Sequence, residues 1–440
     1  MASPKVAVYT LGCKVNQNET EAMAGLFKKA GYEEVDFHQA ADVYIINTCS
    51  VTHLADRKSR QMIRRAIKTN PDALVAVTGC YSQTAPGEIL SIPGVDLVVG
   101  TSERSRIVEL VNEARLAEAP VNAVKDIMEI SDFEEIAGEE AEPHRVRAYL
   151  KIQEGCNRYC SYCIIPYARG PIRSRPTENV IHAAQRLVEM GYKEIVLTGI
   201  HTGAYGAEAG NVDLTLLIRR LLKVEDLKRL RISSIDPNEV NEELLDLMAG
   251  SQLLCRHLHI PLQSGDDRVL ERMNRVYTTG DYENLVGEIQ TRIPGIAITT
   301  DIMVGFPGET EDEFQHTLAF TEKIGFSALH VFKYSPRRGT PAADFPNQVD
   351  WKIKEERSKE LISLGRRLSA KYAEANIGKV FSVLVEQETK IKDGLFWEGH
   401  TDNYLKVVFP FDGDLKGSFA KVLLESYSDD LVYGQYVSID

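Results

Sequence analysis

Three short apolar, β-branched runs, Val6 to Thr10, Val43 to Asn47 and Leu74 to Thr78, each lead into a cysteine. Such runs are typical of strands buried on both faces of a parallel sheet, where crossover helices cover them. Helical patterns separate them, from Glu19 to Ala30 and from Asp56 to Thr69. The cysteines follow as Leu-Gly-Cys13, Asn-Thr-Cys49 and Thr-Gly-Cys80. In open α/β sheets, ligand sites lie just outside the carboxyl ends of the strands. Three thiols far apart in sequence are therefore expected to meet on one edge of one sheet. A single free cysteine is commonly a buried core thiol, but three in succession at equivalent strand ends read as a site.

At 440 residues the chain is too long for one ordinary core, and its pattern changes along the way. The strand–helix series fills residues 1–125. Eight carboxylates follow (Asp126, Glu129, Asp132, Glu134, Glu135, Glu139, Glu140 and Glu142) with no Lys or Arg among them. Residues 126–143 therefore read as a solvated acidic linker. Over 144–375 a second alternating series has six strand-like runs: Ala148 to Gln153, Glu194 to Thr198, Arg231 to Ile235, His257 to Leu262, Ala297 to Met303 and Ala328 to Tyr334. Helical patterns such as Asn179 to Met190 and Thr310 to Ile324 lie between them, and a charged helix from about Trp351 to Ala375 closes the unit. Six β/α units predict an incomplete barrel with functional loops at the strand C-termini. Over 376–440 short alternating strands, as in Phe381 to Glu386, Tyr404 to Phe409 and Lys421 to Ser426, predict a small all-β barrel.

With 43% apolar residues and no apolar run near the roughly 18 residues of a membrane span, the chain reads as a soluble globular protein. The start, MASPKVAVYTLGC, lacks a basic segment followed by an apolar one, so the expected compartment is the cytoplasm. There, clustered cysteines mean metal or catalysis more often than disulfides.

The densest cysteine motif is Cys156-Asn-Arg-Tyr-Cys160-Ser-Tyr-Cys163. Three thiolates within eight residues can bind three irons of a cubane and leave the fourth open to a small chelating molecule. A structural zinc knuckle is the rival, but such sites normally take four ligands, and no nearby His or Cys completes a set.

This C-x3-C-x2-C motif resembles the signature of the radical S-adenosylmethionine superfamily, found on the loop after the first barrel strand. The resemblance implies a [4Fe-4S] cluster that holds S-adenosylmethionine for reductive cleavage. It also implies cofactor contacts: Tyr162 on the adenine, the Thr198-Gly199 backbone at the methionine amino group, Ser233 and Ser234 at the ribose, and the segment from Asp301 to Glu309 beside the adenine. Either serine would equally serve as a satisfied strand-end residue. Together with Cys13, Cys49 and Cys80, the resemblance narrows to the methylthiotransferases, whose first domain carries an auxiliary [4Fe-4S] cluster on three cysteines placed in this way. Cys255 has no such company and reads as structural. PYARGPIRSRP (Pro166 to Pro176), HIPLQSG (His259 to Gly265) and RMNRVYT (Arg272 to Thr278) also look like family segments.

Lys14-Val15-Asn16-Gln17 and Ser50-Val51-Thr52 favour the subgroup acting on N6-threonylcarbamoyladenosine next to the tRNA anticodon. The isopentenyl-adenosine subgroup typically carries Gln-Met-Asn after the first cysteine, and the ribosomal-protein subgroup Pro-Lys-Asn. The implied reaction removes hydrogen from C2 of the adenine and delivers a methylated sulfur from the auxiliary cluster, a second S-adenosylmethionine supplying the methyl group. Implied partners are the tRNA anticodon stem-loop and an electron donor such as flavodoxin or ferredoxin. No side chain stands out as an obligatory acid or base, since cofactors carry the hard chemistry.

The last unit resembles a TRAM domain, an RNA-binding module, yet from Asn376 to Asp440 it has six Lys or Arg against eleven Asp or Glu. A phosphate-tracking surface is not visible there. RNA contact is expected instead on Arg57, Lys58, Arg60, Arg64, Arg65 and Lys68, or else around Arg169, Arg173 and Arg175; a solvated helix face would carry the first set equally well. Two rivals to the whole reading are the same chemistry on isopentenyl-adenosine or a ribosomal protein, and a non-catalytic zinc- and RNA-binding protein.

Overall fold

The computed structural model describes residues 3–137, 146–210, 212–392 and 394–440. Glu139, Glu140 and Glu142 of the acidic run, and the expected junction at 143–144, lie outside the described residues.

The first unit is an open parallel sheet with strand order β2-β1-β3-β4-β5-β6. Its strands are β1 (Lys5–Thr10), β2 (Glu33–Glu34), β3 (Val43–Thr48), β4 (Leu74–Gly79), β5 (Leu97–Val98) and β6 (Val121–Asn122). Every residue of β3 and β4 is buried, because helices pack on both faces. Met23 and Phe27 of helix Lys14–Lys29 meet Val43 and Ile45 on one side. Ile63 and Ala66 of helix His53–Thr69 meet Tyr44 and Ile46 on the other. The latter helix starts at Thr52, whose side chain caps the backbone N–H of Ala55.

The central unit has six parallel strands in chain order: β7 (Arg147–Glu154), β9 (Glu194–Gly199), β10 (Arg229–Ile232), β11 (His257–His259), β12 (Ala297–Val304) and β13 (Ala328–Lys333). A short β8 (Arg173–Ser174) pairs antiparallel on the outer edge of β7. Single bridges, Leu230 to Leu254 and Ser234 to His259, join the β10 and β11 halves. Among the described residues β13 and β7 do not pair, so the barrel is incomplete. Strands β10 and β11 stop at Ile232 and His259, short of the expected Ile235 and Leu262. After β11 the carbonyls turn to side chains: Ile260 O accepts from Tyr282 Oη and Thr300 Oγ1 (both 2.7 Å), and Leu262 O from Tyr277 Oη (2.9 Å). Helix Trp351–Glu374 packs along β13 through Leu361, Leu364 and Leu368.

The last unit is a closed barrel, β14 (Val380–Ile391), β15 (Gly394–Thr401), β16 (Lys406–Phe409), β17 (Phe419–Ser428) and β18 (Leu431–Ile439), in the order β14-β15-β16-β18-β17. It sits on the central barrel. Arg229 donates to Ser382 O (3.0 Å) and His400 O (3.1 Å), and Arg231 to Thr401 O (3.2 Å) and Asp402 O (3.1 Å).

The acidic stretch is not simply a solvated linker. Glu134 pairs with the buried Arg104 (3.1 Å) and Glu135 with Arg175 (2.7 Å), so its middle is docked against both units. Among the described residues no helix is long and apolar enough to cross a membrane.

Candidate active site

The carboxyl edge of the first sheet brings Cys13, Cys49 and Cys80 together. Cys13 caps helix Lys14–Lys29, Cys49 follows β3, and Cys80 opens a short helix, Cys80–Thr84. Gly12, at φ +108°, lets the strand ends approach: a Cβ there would lie 2.9 Å from Cys49 Cβ and 3.2 Å from its Sγ. Burial, with the neighbouring Cys80 and Cys13, pushes the Cys49 thiol up to about 12. Cys80 is also raised, by burial, while Arg169 opposes the rise.

Arg169 is the organising cation of this edge. It is completely buried, and its Nε donates to Cys80 Sγ at 3.2 Å. Its other nitrogens donate to Glu19 (2.6 Å), Glu154 (2.7 Å) and Asn16 Oδ1 (2.5 Å). Arg104 and Lys151 pair with the same two carboxylates. Burial alone would raise Glu154, but Arg169 and Lys151 hold it at about 2. The expectation that Arg169, Arg173 and Arg175 form an RNA surface fails, since all three are buried. Their guanidiniums serve the joint between sheet and barrel: Arg173 donates to Arg169 O (2.9 Å), and Arg175 pairs with Glu135.

The second trio lies on the loop after β7. Gln153 fixes that loop by donating to Glu154 O (2.7 Å) and Gly155 O (2.8 Å) and by accepting from the His201 N–H (2.6 Å). Cys156 Sγ lies 3.8 Å from His201 Nδ1, and His201 Nε2 is 2.5 Å from Glu239. Burial lowers the His201 pKa, but Cys156 and Glu239 outweigh it and lift it to about 9. Arg275 donates to Cys160 Sγ (3.3 Å), Asp236 (2.9 Å) and Tyr277 Oη (3.1 Å). Burial and the adjacent Cys160 push Cys163 up to about 12.

Neither trio suits a single small ion as it stands. Among the described residues only His259, Asp301 and His330 place three ligand atoms within 4.8 Å of one another. Zinc–thiolate bonds of about 2.3 Å would draw tetrahedral sulfurs to roughly 3.8 Å apart. The ligand atoms of each trio are not all within 4.8 Å of one another, and an arginine donates to one sulfur of each, so neither trio is laid out as a closed zinc site.

The other expected residues surround the barrel mouth. Tyr162 meets Phe306 of the Asp301–Glu309 segment edge-on, 6.4 Å between centroids. Thr198 is buried at the end of β9, and Gly199 packs against Gln153. Ser233 Oγ lies 3.3 Å from Thr202 Oγ1, whereas Ser234 is exposed. Asp301 Oδ1 lies 3.2 Å from both His259 Nε2 and His330 Nδ1. Two imidazoles therefore share the carboxylate expected beside the adenine.

Deeper in the barrel, the ring of Tyr404 stacks on His257 (4.7 Å) and lies beneath the guanidiniums of Arg231 (4.6 Å) and Arg147 (5.9 Å). Those partners come from β11, β10 and β7, which are not all neighbours, so they point into the lumen. Glu194 pairs with Arg231 (2.9 Å), Arg229 (3.4 Å) and Arg147 (3.9 Å). Burial opposes its ionisation, yet Arg231, Arg229 and Arg147 hold the carboxyl at about 2. Lys14 reaches this region too, among Tyr404, Arg147, Arg231 and Glu194.

Two family models match this layout. Residues 5–100 match the uncharacterized protein family UPF0004, and residues 150–321 match the radical SAM superfamily. The threonylcarbamoyladenosine tRNA methylthiotransferase MtaB of Bacillus subtilis (strain 168) is 48% identical over 99% of this chain and 96% of its own length. The chain belongs to the radical S-adenosylmethionine methylthiotransferase family. Another relative, tRNA-2-methylthio-N(6)-dimethylallyladenosine synthase of Moorella thermoacetica, is 36% identical over 98% of each chain. Among solved structures, the radical S-adenosylmethionine methyltransferase TsrM from Kitasatospora setae, with cobalamin and a [4Fe-4S] cluster bound, has the same fold. Its TM-score is 0.59 at 16% identity, covering 78% of this chain and 77% of that one. Membership in the family implies a [4Fe-4S] cluster and S-adenosylmethionine.

Sequence reading missed His201, Arg275 and Glu19, and it gave Arg169 the wrong role. Their signals were faint: His201 follows Thr198-Gly199 closely, and Arg275 lies inside RMNRVYT, a segment noticed only as a family likeness. Helix His53–Thr69 does present Arg57, Lys58, Arg64, Arg65 and Lys68 to solvent, whereas Arg60 donates to Tyr81 Oη (2.7 Å).

Proposed function

We propose that this methylthiotransferase converts N6-threonylcarbamoyladenosine beside the tRNA anticodon to its 2-methylthio derivative. The observation that carries this reading is the near full-length, 48% identity to a relative named for that substrate. Cys156, Cys160 and Cys163 would hold the [4Fe-4S] cluster that serves S-adenosylmethionine. Cys13, Cys49 and Cys80 hold a second [4Fe-4S] cluster. Tyr162, the Thr198-Gly199 backbone, Ser233, Ser234 and the Asp301–Glu309 segment form the cofactor's berth. When bound, these groups supply the radical that activates C2 of the adenine and the sulfur delivered to it.

The chain's own residues hold and orient. Arg169 and Arg275 each place a charged donor on one cysteine sulfur, Cys80 and Cys160 respectively. The last barrel brings Tyr404 against His257 and Arg231 of the central barrel. The exposed cations of helix His53–Thr69 meet tRNA phosphates beside the second cluster. The enzyme works in the cytoplasm and draws electrons from a flavodoxin- or ferredoxin-like donor.

A second reading, isopentenyl-type adenosine as substrate, is favoured by the relative from Moorella thermoacetica. Mass analysis of tRNA nucleosides from cells lacking the gene separates the two. The 2-methylthio-threonylcarbamoyl nucleoside should vanish and its unthiolated precursor accumulate. Loss of the 2-methylthio-isopentenyl nucleoside instead would establish the second reading.

A further inference from the structure

The two candidate substrates differ in charge at the N6 substituent. A threonylcarbamoyl group ends in a carboxylate, whereas an isopentenyl group is apolar. Taking a carboxylate out of water requires a cation or several donors at its destination. The lumen holds several cations, but most already have partners. Arg229 and Arg231 pair with Glu194 and donate to carbonyls of the last barrel. Arg147 pairs with Glu386 at 2.8 Å. His259 and His330 share Asp301. His257, buried, lies among Arg231, His259, Lys14 and His330, which places these groups around one region.

Lys14 stands apart. It is half-buried, the groups around it are Tyr404, Arg147, Arg231 and Glu194, and among the described residues its ammonium has no hydrogen bond or ion pair. It is also the first residue after Cys13, so the sheet edge that carries the first trio fixes its position. Its charge therefore lies between that trio and the polar lumen.

We propose that Lys14 recognises the carboxylate of the N6 substituent and thereby selects threonylcarbamoyladenosine over isopentenyl-adenosine. This rests on the substrate reading above and adds the residue that enforces it. Lys14 touches the substituent rather than C2, so it sets specificity and takes no part in the hydrogen abstraction.

The test uses two stem-loop RNAs, identical except that the threonylcarbamoyl carboxylate is free in one and methyl-esterified in the other. Affinity is read by fluorescence anisotropy, and kcat/KM from methylthio product formed by the reconstituted enzyme. The parent enzyme should favour the acid by roughly thirtyfold, the low end of the cost when a buried charge pair loses one partner. Lys14→Gln should bring the acid-to-ester ratio close to one in both measurements, and Lys14→Arg should restore most of it. Because the ratio is internal to each variant, partial loss of folding or cluster content cancels. If Lys14→Gln keeps the parent ratio, Lys14 does not read the carboxylate. If the parent enzyme fails to modify the acid RNA at all, the substrate reading falls and this assignment falls with it.

Discussion

The two cysteine trios reach similar surroundings by opposite routes. In the barrel, three thiols lie on one eight-residue loop, and local backbone geometry sets their placement. In the first sheet, the thiols come from the ends of β1, β3 and β4, and only correct strand pairing assembles them. Each set nevertheless has one arginine aimed at one sulfur. The arginines differ in company: Arg275 pairs with Asp236, whereas Arg169 sits in a five-membered buried set with Glu19, Glu154, Arg104 and Lys151. A site built from distant strands requires a buried electrostatic framework to hold its edge; a site built on one loop largely requires the loop. Arg169 also follows Cys163 by only six residues, so helix Ile165–Arg169 ties the two sites together directly.

The largest expected effect separates the trios by function. Changing Cys156, Cys160 and Cys163 together to Ala should abolish deoxyadenosine formation. Iron should fall from about eight to about four atoms per chain after anaerobic reconstitution, as two cubanes become one. The same change at Cys13, Cys49 and Cys80 should halve the iron, retain deoxyadenosine formation and abolish methylthio product. Normal product from that second variant would show that the first trio is structural, and the comparison would collapse.

A smaller effect should divide the two arginines. Arg169→Met leaves Glu19 and Glu154 with fewer buried partners, and breaking such a network costs about 3–5 kcal/mol. The loss should appear as a lower denaturant midpoint, together with selective loss of iron from the first trio. Arg275→Met removes a cation from Cys160 within a smaller set, so the fold should suffer less. Without that donor the reduced, more negative cluster is less stabilised, and its potential in an EPR-monitored titration should move downward. Equal stability losses for the two variants, with no shift in potential, would mean that the arginines play one and the same role.

These pairs also mark where the sequence stops being readable. Both cysteine sets were legible, one from spacing and one from strand ends, because each needed only local patterns. Arg169 and Arg275 were not, because their roles depend on contacts with Cys80 and Cys160, 89 and 115 positions away. The middle of the acidic stretch read as solvated for the same reason: the partner of Glu134, Arg104, lies 30 residues back. In the last barrel, Gly399 and Gly434 interrupt the apolar alternation of β15 and β18. The structure requires both glycines, since a Cβ would lie 2.2 Å from Leu384 O at Gly399 and 2.5 Å from Val422 at Gly434. Tyr404 was read as the start of a strand, but it stands in the turn between β15 and β16 at φ +67°. From there its ring reaches the lumen.

The smallest expected effect concerns the surface beside the first trio. Helix His53–Thr69 begins four residues after Cys49 and is fixed to the central barrel by Arg337, which pairs with Asp56 at 2.7 Å. Its outward cations Arg57, Lys58, Arg64, Arg65 and Lys68 have no carboxylate partner among the described residues. Phosphate contacts there would bring an anticodon loop toward the edge that carries the first trio; among the described residues the loop trio has no comparable basic helix at its side. Each phosphate neutralised releases counterions, so log affinity falls with log salt in proportion to the number of contacts. Charge reversal at Arg64, Arg65 and Lys68 should therefore weaken tRNA binding and flatten the salt slope, by up to about three contacts' worth. Because phosphate contacts position the RNA without reading bases, the weakening should be similar for tRNAs with and without the N6 modification. Unchanged affinity and slope would reduce this helix to a solvated face and remove the proposed difference in RNA contact between the two sites.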